Sequence, residues 1–118
     1  MPRKKAAIEE RPWGSYEILA DRKQYKLKEI VVKPGQRLSY QSHHRRTEIW
    51  AIVQGEGIVT LEGQKLDCYV GRSFFIPKEQ KHRIECTGKK PLIFVEVQTG
   101  DYFGEDDITR YEDDYGRK

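Results

Sequence analysis

The sequence predicts an all-β domain, either a sandwich or a barrel built from short strands. Strand-like stretches recur about every eight to twelve residues, a spacing that is typical of such folds. Glycine and proline separate these stretches, and no stretch before residue 104 has the apolar periodicity of an amphipathic helix. A length of 118 residues is enough for one hydrophobic core, so a single domain is expected.

Two strands are predicted before the first strong turn signal. Residues 15–19 follow a tight turn that contains Trp13, whose ring is expected to fold back and pack onto the domain. Residues 25–32, YKLKEIVV, alternate so that Lys28 and the lysine two residues before it share one face. The Pro34-Gly35 pair then turns the chain.

The remaining strands follow one another with short connections. They are predicted at residues 37–43, 48–54, 58–61, 65–70, 73–76, 82–86 and 92–98. A glycine-containing hairpin turn joins the third and fourth of these. Residues 106–111 are predicted to add a short helical turn. Residues 1–10 are polar and are expected to form a flexible segment ahead of a domain that spans residues 11–118.

Composition and charge argue against several classes of protein. The formal net charge of +3 is too small to indicate a nucleic-acid partner, although 35% of the residues are charged. No apolar run approaches the ~20 residues of a membrane helix, and no signal-peptide pattern follows the basic start. Cys68 and Cys86 have no CxxC spacing and are too few for a disulfide scaffold. These observations predict a cytoplasmic protein with reduced cysteines and neither a membrane nor a nucleic-acid partner.

One run of residues concentrates side chains that bind metals. Gln41 and His43 lie two apart on a predicted strand, so they point the same way at a separation of about 6.5 Å, while His44 points to the other face. A turn then brings the chain back, which lets Glu48 return to the same neighbourhood from the next strand. His82 follows a proline after a later strand and could close the set. Nitrogen and oxygen donors that converge in this way predict a divalent-metal site.

The spacing of these residues resembles the two sequence motifs of the cupin family. The first motif, with glutamine in place of its first histidine, is matched by Gly35, Gln41, His43, Glu48 and Gly55. The second motif is similar in spacing to the set formed by Gly71, Pro77 and His82. Glu79 stands where the second motif usually has glycine and Cys86 where it has asparagine, departures that alter a turn and a strand end and keep the ligand.

A narrower resemblance covers nearly the whole chain. The segments RPWGSYE, VKPGQRLSYQSHHRRTEIW and VQTGDYFGEDDITRYEDDYGR are similar to the type II mannose-6-phosphate isomerase domain. That domain commonly follows a guanylyltransferase domain, whose glycine-rich nucleotide loop this sequence lacks, so GDP-mannose synthesis by the chain is not expected. The resemblance implies a double-stranded β-helix jelly roll, a homodimer, and a metal held by Gln41, His43, Glu48 and His82. Glutamine at the first ligand position favours the phosphomannose isomerases over the dioxygenase cupins.

The implied reaction interconverts mannose 6-phosphate and fructose 6-phosphate through an enediol. Zn²⁺ suits the stabilisation of charge on the substrate oxygens, and Mn²⁺, Co²⁺ and Mg²⁺ are not excluded by the ligand set. Arg110 is the first candidate for a catalytic arginine that holds the phosphate or stabilises the enediolate. Lys28 and Arg37 are further candidates for binding the hexose phosphate, if the strand alternation points their side chains into the barrel. Glu96 is a candidate proton carrier, and the pattern leaves open which way it faces.

Two other functions remain open at the level of the sequence. An iron-dependent oxygenase on the same scaffold would consume oxygen, although such sites favour histidine where this chain has Gln41. A non-catalytic sugar-phosphate-binding module would bind its ligand without turnover, and it becomes attractive if Arg110 lies far from the metal. The acidic C-terminal segment fits either a solvated face or an ordered closing segment.

Overall fold

The structure is a computed structural model that describes residues 8–117. These residues contain eleven strands. In chain order they are β1 (Ile8–Arg11), β2 (Gly14–Asp21), β3 (Tyr25–Val32), β4 (Tyr40–Ser42), β5 (Arg46–Gln54), β6 (Glu56–Leu61), β7 (Gln64–Tyr69), β8 (Ser73–Ile76), β9 (His82–Cys86), β10 (Leu92–Gly100) and β11 (Thr109–Glu112). No helix occurs among these residues, and so none of membrane-spanning length is found there. The predicted all-β fold class is confirmed.

The strands form two antiparallel sheets that pack face to face. One sheet has six strands in the order β1-β2-β3-β10-β5-β8, and the other has five in the order β11-β4-β9-β6-β7. Apolar side chains from both sheets fill the space between them, including Phe94 from the first and Ile84 from the second. Cys68 and Cys86 are buried free thiols on β7 and β9, as predicted. The two facing sheets form the jelly roll that the family resemblance implied.

The interior of the barrel changes from apolar to polar along the strands. On β10 the inward-facing residues are Leu92, Phe94, Glu96 and Gln98, in that order, and all four are buried. On β3 the inward-facing residues are Val32, Ile30 and Lys28, and the change falls at Lys28, opposite Glu96. On β5 they are Ile52, Trp50 and Glu48, and the change falls one inward position later, at Glu48 opposite Gln98. One end of the barrel is therefore a packed hydrophobic core, and the other end collects ionisable side chains.

The connection between β8 and β9 contains a residue with a left-handed backbone. Glu79 has a φ of 70°, a conformation that glycine adopts freely and other residues adopt at a cost of about 1–2 kcal/mol. Its N–H donates to the carbonyl of His43 at 2.7 Å, and its carboxylate contacts Nδ1 of His44. These contacts tie the connection to the end of β4 and offset the backbone cost. They explain how glutamate can stand where the motif usually has glycine.

The prediction of a helical turn at residues 106–111 is wrong. β11 covers the second half of this stretch and pairs with β4, which places Arg110 opposite Gln41. A single helical turn fixes several residues for one hydrogen bond, whereas pairing with β4 satisfies the backbone of both strands. The hydroxyls of Ser42 and Tyr111 add a hydrogen bond of 2.8 Å across the pair. This acidic segment is therefore an ordered edge of the five-stranded sheet.

Two other boundaries differ from the sequence-based expectation. Residues 8–10 belong to the segment expected to be flexible, yet they lie in β1, where Ile8 pairs with Glu17 of β2; residues 1–7 lie outside the described residues. The strand predicted at residues 37–43 is shorter, because only β4 joins the ladder and Arg37 makes an isolated bridge. The other predicted strands agree with the structure to within two residues at either end.

Candidate metal centre

Three side chains converge at the polar end of the barrel. His43, Glu48 and His82 are buried, and their ligand atoms all lie within 4.8 Å of one another. Nε2 of His43 lies 3.1 Å from Oε2 of Glu48, and Nε2 of His82 lies 4.0 Å from Oε1 of Glu48. Ligand atoms that bind one ion at about 2.0–2.2 Å are themselves about 3–3.5 Å apart. Small side-chain adjustments would therefore let these groups share a cation.

Both imidazoles are held with the same nitrogen toward the centre. Nδ1 of His43 bonds to the backbone carbonyl of Asp107 at 2.7 Å, and Nδ1 of His82 bonds to the carbonyl of Gln80 at 2.9 Å. A carbonyl only accepts, so each Nδ1 carries a proton and donates it to the carbonyl, and each Nε2 is the nitrogen that faces the centre. Such bonds to the second nitrogen are the usual way in which proteins orient metal-binding histidines.

The protonation states also suit metal binding. Burial by itself would raise the pKa of Glu48, but His43, Arg46 and His82 outweigh it and lower that pKa well below its ordinary range. Burial lowers the pKa of His82 to about 4, so this imidazole is neutral at neutral pH. Nε1 of Trp50 donates to Oε1 of Glu48 at 2.9 Å and holds the carboxylate in place. A neutral imidazole and an ionised carboxylate are the forms that bind metals.

Gln41 joins this group through the pairing of β4 with β9. It lies directly opposite His82, so the two side chains share the inward face of the sheet. Its Nε2 donates to Oγ of Ser39 at 3.0 Å, which leaves Oε1 as the atom that would bind a metal. On the other side of Gln41, β11 places Arg110 opposite it. Adjacent strands thus bring Arg110, Gln41 and His82 into one row.

These residues line a cavity at the same end of the barrel. Its empty space is about 640 Å³ when the open mouth is included. The cationic residues along its wall are Arg11, Lys28, Arg46, Arg83, Arg110 and Arg117. The carboxyl groups are Glu48, Glu96 and Glu105. The excess of cations suits an anionic ligand such as a phosphate ester.

The cationic residues singled out from the sequence occupy different places. Lys28 lines the cavity, where its ammonium contacts the carboxylate of Glu105 and lies 4.3 Å from the centre of the Tyr16 ring. Arg37 lies at the surface and donates from Nε and Nη2 to Asp114 at 2.7 and 2.9 Å. Arg37 is not among the described residues that line the cavity, so the geometry gives its assignment to substrate binding no support.

Glu96 faces the cavity, the orientation that the sequence pattern left open. Its Oε1 accepts a hydrogen bond from Nε1 of Trp50 at 3.1 Å, and its Oε2 accepts one from Nε2 of Gln98 at 2.7 Å. Burial, and after it the neighbouring Glu48 carboxylate, raises the pKa of Glu96 to about 8. The cavity therefore contains two buried carboxyl groups whose pKa values are shifted in opposite directions.

A sequence model of the family described as "Mannose-6-phosphate isomerase C-terminal" matches residues 3–113. The chain belongs to this family. Relatives of the mannose-6-phosphate isomerase C-terminal domain include the alginate biosynthesis protein AlgA of Pseudomonas aeruginosa, 47% identical over 107 residues that cover 91% of this chain and 22% of AlgA. The mannose-1-phosphate guanylyltransferase ManC of Salmonella typhimurium is 44% identical over 107 residues, with coverages of 91% and 22%. The chain thus spans less than a quarter of the length of these curated relatives.

Solved structures agree on the architecture of this domain. An RmlC-like cupin from Shewanella frigidimarina superposes with a TM-score of 0.74 at 23% identity, covering 86% of this chain and 88% of that one. Identity at this level shows the fold alone. It confirms the double-stranded β-helix of the cupins for the mannose-6-phosphate isomerase C-terminal domain.

Two site residues of this domain were missed by the sequence analysis. Arg46 lies two residues before Glu48 on β5, so the alternation of a strand gave a usable signal that both face inward. Its Nε donates to Oε2 of Glu48 at 2.8 Å, and its Nη2 donates to Nε2 of His43 at 3.2 Å. Asp107 orients His43 through its carbonyl, and its carboxylate accepts from the N–H of Arg45 at 2.9 Å. No local pattern marks Asp107, because it comes from a loop distant in sequence.

Proposed function

We propose that this domain is a metal-dependent isomerase that interconverts mannose 6-phosphate and fructose 6-phosphate through an enediol. The observation that carries the proposal is the meeting of Gln41, His43, Glu48 and His82 at a cavity lined mainly by cations. A sugar phosphate offers both groups that such a site would bind, namely oxygens for a metal and a phosphate for arginine. Membership of the mannose-6-phosphate isomerase C-terminal family supports the same activity.

The donor set fits a divalent cation, and Zn²⁺ is the proposed ion. The two histidines offer their Nε2 atoms, Glu48 offers a carboxylate and Gln41 offers an amide oxygen. A single negative charge among these ligands would leave a divalent ion with net positive charge. When bound, such an ion supplies Lewis-acid stabilisation for charge that builds on the substrate oxygens. Mn²⁺, Co²⁺ and Mg²⁺ are the alternatives to test, since the ligand set does not exclude them.

The remaining cavity residues supply the other contacts. Arg110 is the proposed partner of the phosphate, because it lies beside Gln41 and its buried Nε has no hydrogen-bond partner among the described residues. Lys28 would contribute mainly its charge, since its ammonium is already paired with Glu105. The proton that moves between C1 and C2 needs a carrier, and Glu96 and Glu105 are the described carboxyl groups, apart from the proposed ligand, that line the cavity.

A coupled assay on protein loaded in turn with each divalent ion tests this proposal. We expect turnover of both sugar phosphates with at least one ion, loss of turnover on chelation, and recovery when that ion is restored. No turnover of either sugar phosphate with any ion would overturn the isomerase assignment. Thermal stabilisation by hexose phosphate without turnover would indicate a sugar-phosphate-binding module. Oxygen consumption with bound iron would indicate a cupin oxygenase.

A homodimer is the proposed working form of the domain. The outer face of the six-stranded sheet carries Ile49 and Phe75, which pair across β5 and β8 and are 43% and 59% exposed, and Val53, which is 51% exposed. Clustered large apolar side chains on an exposed face are typical of protein interfaces. Light scattering should give the mass of two chains for the wild type and of one for Phe75→Asp. A monomeric wild type would contradict the proposal.

A further inference from the structure

Arg46 lies among the proposed metal ligands and is almost completely buried. Its side chain is 5% exposed. Nε donates to Oε2 of Glu48 at 2.8 Å, and Nη2 donates to Nε2 of His43 at 3.2 Å. The third nitrogen, Nη1, is buried without a hydrogen-bond partner among the residues that the structure describes. Arg46 also lines the cavity, so its guanidinium adjoins the space that a ligand would fill.

A buried guanidinium nitrogen without an acceptor is unfavourable, because its N–H groups have lost water and gained no partner. The charge on Arg46 is nevertheless maintained. The guanidinium of an arginine stays protonated in proteins, and Nε of Arg46 lies 2.8 Å from the Glu48 carboxylate. A permanently charged group with a spare donor beside a cavity is an arrangement that binds an anionic or strongly polar oxygen. A ligand oxygen would complete the hydrogen bonds of Arg46.

The contact between Arg46 and His43 has a further consequence. Nδ1 of His43 is bonded to the carbonyl of Asp107, so Nε2 offers a single lone pair. That lone pair cannot accept from Arg46 and bind a metal at the same time. If His43 is a ligand, as the proposed function requires, Nη2 of Arg46 needs another acceptor. Nη1 and Nη2 would then both be available as a planar fork, a geometry suited to a pair of oxygens.

We propose that Arg46 is a catalytic residue of the isomerase whose Nη1 and Nη2 bind the sugar oxygens on C1 and C2. This inference rests on the proposed function. Because Arg46 contacts Glu48 and His43, an oxygen bound by Arg46 lies beside the proposed metal ligands, where the reacting carbons would be. The phosphate, at the opposite end of the sugar, is left to Arg110. Arg46 keeps its protons throughout, and its hydrogen bonds strengthen as negative charge builds on the enediol oxygens.

The test compares Arg46→Lys with Arg45→Lys as the matched control. Lysine keeps a positive charge beside Glu48 but replaces the planar fork with one nitrogen. Arg45 is the preceding residue, and its exposed side chain donates to Asp101 at 3.2 Å. The readouts are metal content, kcat, and the affinities for fructose 6-phosphate and for a phosphorylated aldonohydroxamate, which mimics the enediolate.

We expect Arg46→Lys to retain its metal while kcat falls by about 10²–10³-fold. The Kd for the enediolate mimic should rise by a similar factor, and the Kd for fructose 6-phosphate should rise less. Arg45→Lys should match the wild type in all four readouts. Wild-type affinity of Arg46→Lys for the mimic would overturn the proposal, as would a loss of kcat that only follows a loss of metal.

A second variant covers the case in which lysine disturbs the metal ligands. In Arg46→Ala, added guanidinium ion should restore part of the affinity for the mimic if Arg46 contacts the ligand directly. If added guanidinium ion restores the metal content of Arg46→Ala but not its binding of the mimic, the proposal is overturned. The isomerase assignment is decided separately, from turnover by the wild type. Mimic binding still reports on Arg46 if that turnover is absent.

Discussion

His43 and His44 are neighbours in the chain, yet their side chains lie in opposite environments. The side chain of His43 is 5% exposed and bonds to the carbonyl of Asp107 inside the barrel. The side chain of His44 is 80% exposed and contacts Glu79 at the surface. This contrast follows from strand alternation at the end of β4. It supplies a matched pair of histidines for testing the candidate metal centre.

Replacing His43 with alanine should abolish stoichiometric metal binding. The variant loses one of three buried ligands, whereas His44→Ala removes a side chain that points away from the site. Elemental analysis after dialysis against each divalent ion gives the metal content. His82→Ala should behave like His43→Ala in the same measurement. Equal metal content in the His43 and His44 variants would exclude the assigned ligand set.

Trp50→Phe should weaken metal binding while preserving most of the packing. The change removes the Nε1–H that donates to both Glu48 and Glu96. Loss of a group that orients a ligand typically lowers metal affinity about 10–100-fold, and leaving buried carboxyl oxygens unsatisfied costs about 1–3 kcal/mol of unfolding free energy. Competition with a chelator and urea denaturation measure the two effects.

Phe94→Leu is the control for the Trp50 variant. The Phe94 ring lies 5.0 Å from the Trp50 ring and has no hydrogen-bond donor. Its replacement should lower stability by about 1 kcal/mol or somewhat more through lost packing and leave metal affinity near the wild-type value. If both variants lose affinity equally, packing rather than the indole hydrogen bond holds Glu48 in place.

Arg110→Ala should retain its metal and lose turnover. Arg110 faces the cavity beside Gln41 but is not one of the proposed ligands. Removing a charged donor from a site of this kind typically lowers kcat about 10²–10³-fold. Arg72→Ala is the control, because Arg72 donates to the backbone of Asp67 and is not among the described residues lining the cavity. Unchanged kcat in Arg110→Ala, with full metal content, would refute this role.

Asp113→Asn should destabilise the protein in a pH-dependent manner. The buried Asp113 carboxylate accepts hydrogen bonds from N, Nε and Nη2 of Arg117 at 2.6, 2.9 and 2.9 Å, and these bonds lower its pKa. Because the folded-state pKa lies below the value of about 3.9 for an unfolded aspartate, the carboxylate stabilises the protein above about pH 4. That contribution is lost as the pH falls through the folded-state value.

Urea denaturation across this pH range gives the size of the effect. At neutral pH the loss for Asp113→Asn should be about 1–3 kcal/mol, and it should shrink toward zero in acid. Asp114→Asn is the control, because the Asp114–Arg37 pair lies at the surface, partly exposed, and should contribute at most about 1 kcal/mol. A difference between wild type and Asp113→Asn that does not depend on pH would contradict the explanation.

The clustering of the candidate ligands could be predicted because most of its geometry is local. Gln41 and His43 are two residues apart, and the following turn is short enough to return Glu48 to them. Only His82 required pairing between distant strands, and its place after a proline in a second motif supplied that information. Spacing along the chain is therefore sufficient where strand alternation and a tight turn determine the directions of the side chains.

The remaining wall of the site depends on contacts that no local pattern encodes. β11 acquires its structure by pairing with β4, so the sequence around Arg110 read as a helical turn. The direction of Glu96 was open because Val95 and Val97 on the outer face are also half-buried, which obscures the alternation. Arg37 lies between the Pro34-Gly35 turn and the start of β4. The alternation of side chains along β4 therefore does not determine the direction of Arg37, which lies at the surface.

The same strands that pack the hydrophobic core also carry the ionisable groups of the candidate site, further along each strand. Substitutions among Lys28, Glu96 and Glu48 can therefore change what the protein does without removing the aliphatic and aromatic contacts that hold its sheets together. Phe94 and Ile52 pack in the apolar part of the interior, beside this polar end. Because core-packing residues and ionisable residues occupy different positions along the same strands, the barrel is a scaffold on which new reactions can arise while folding is preserved.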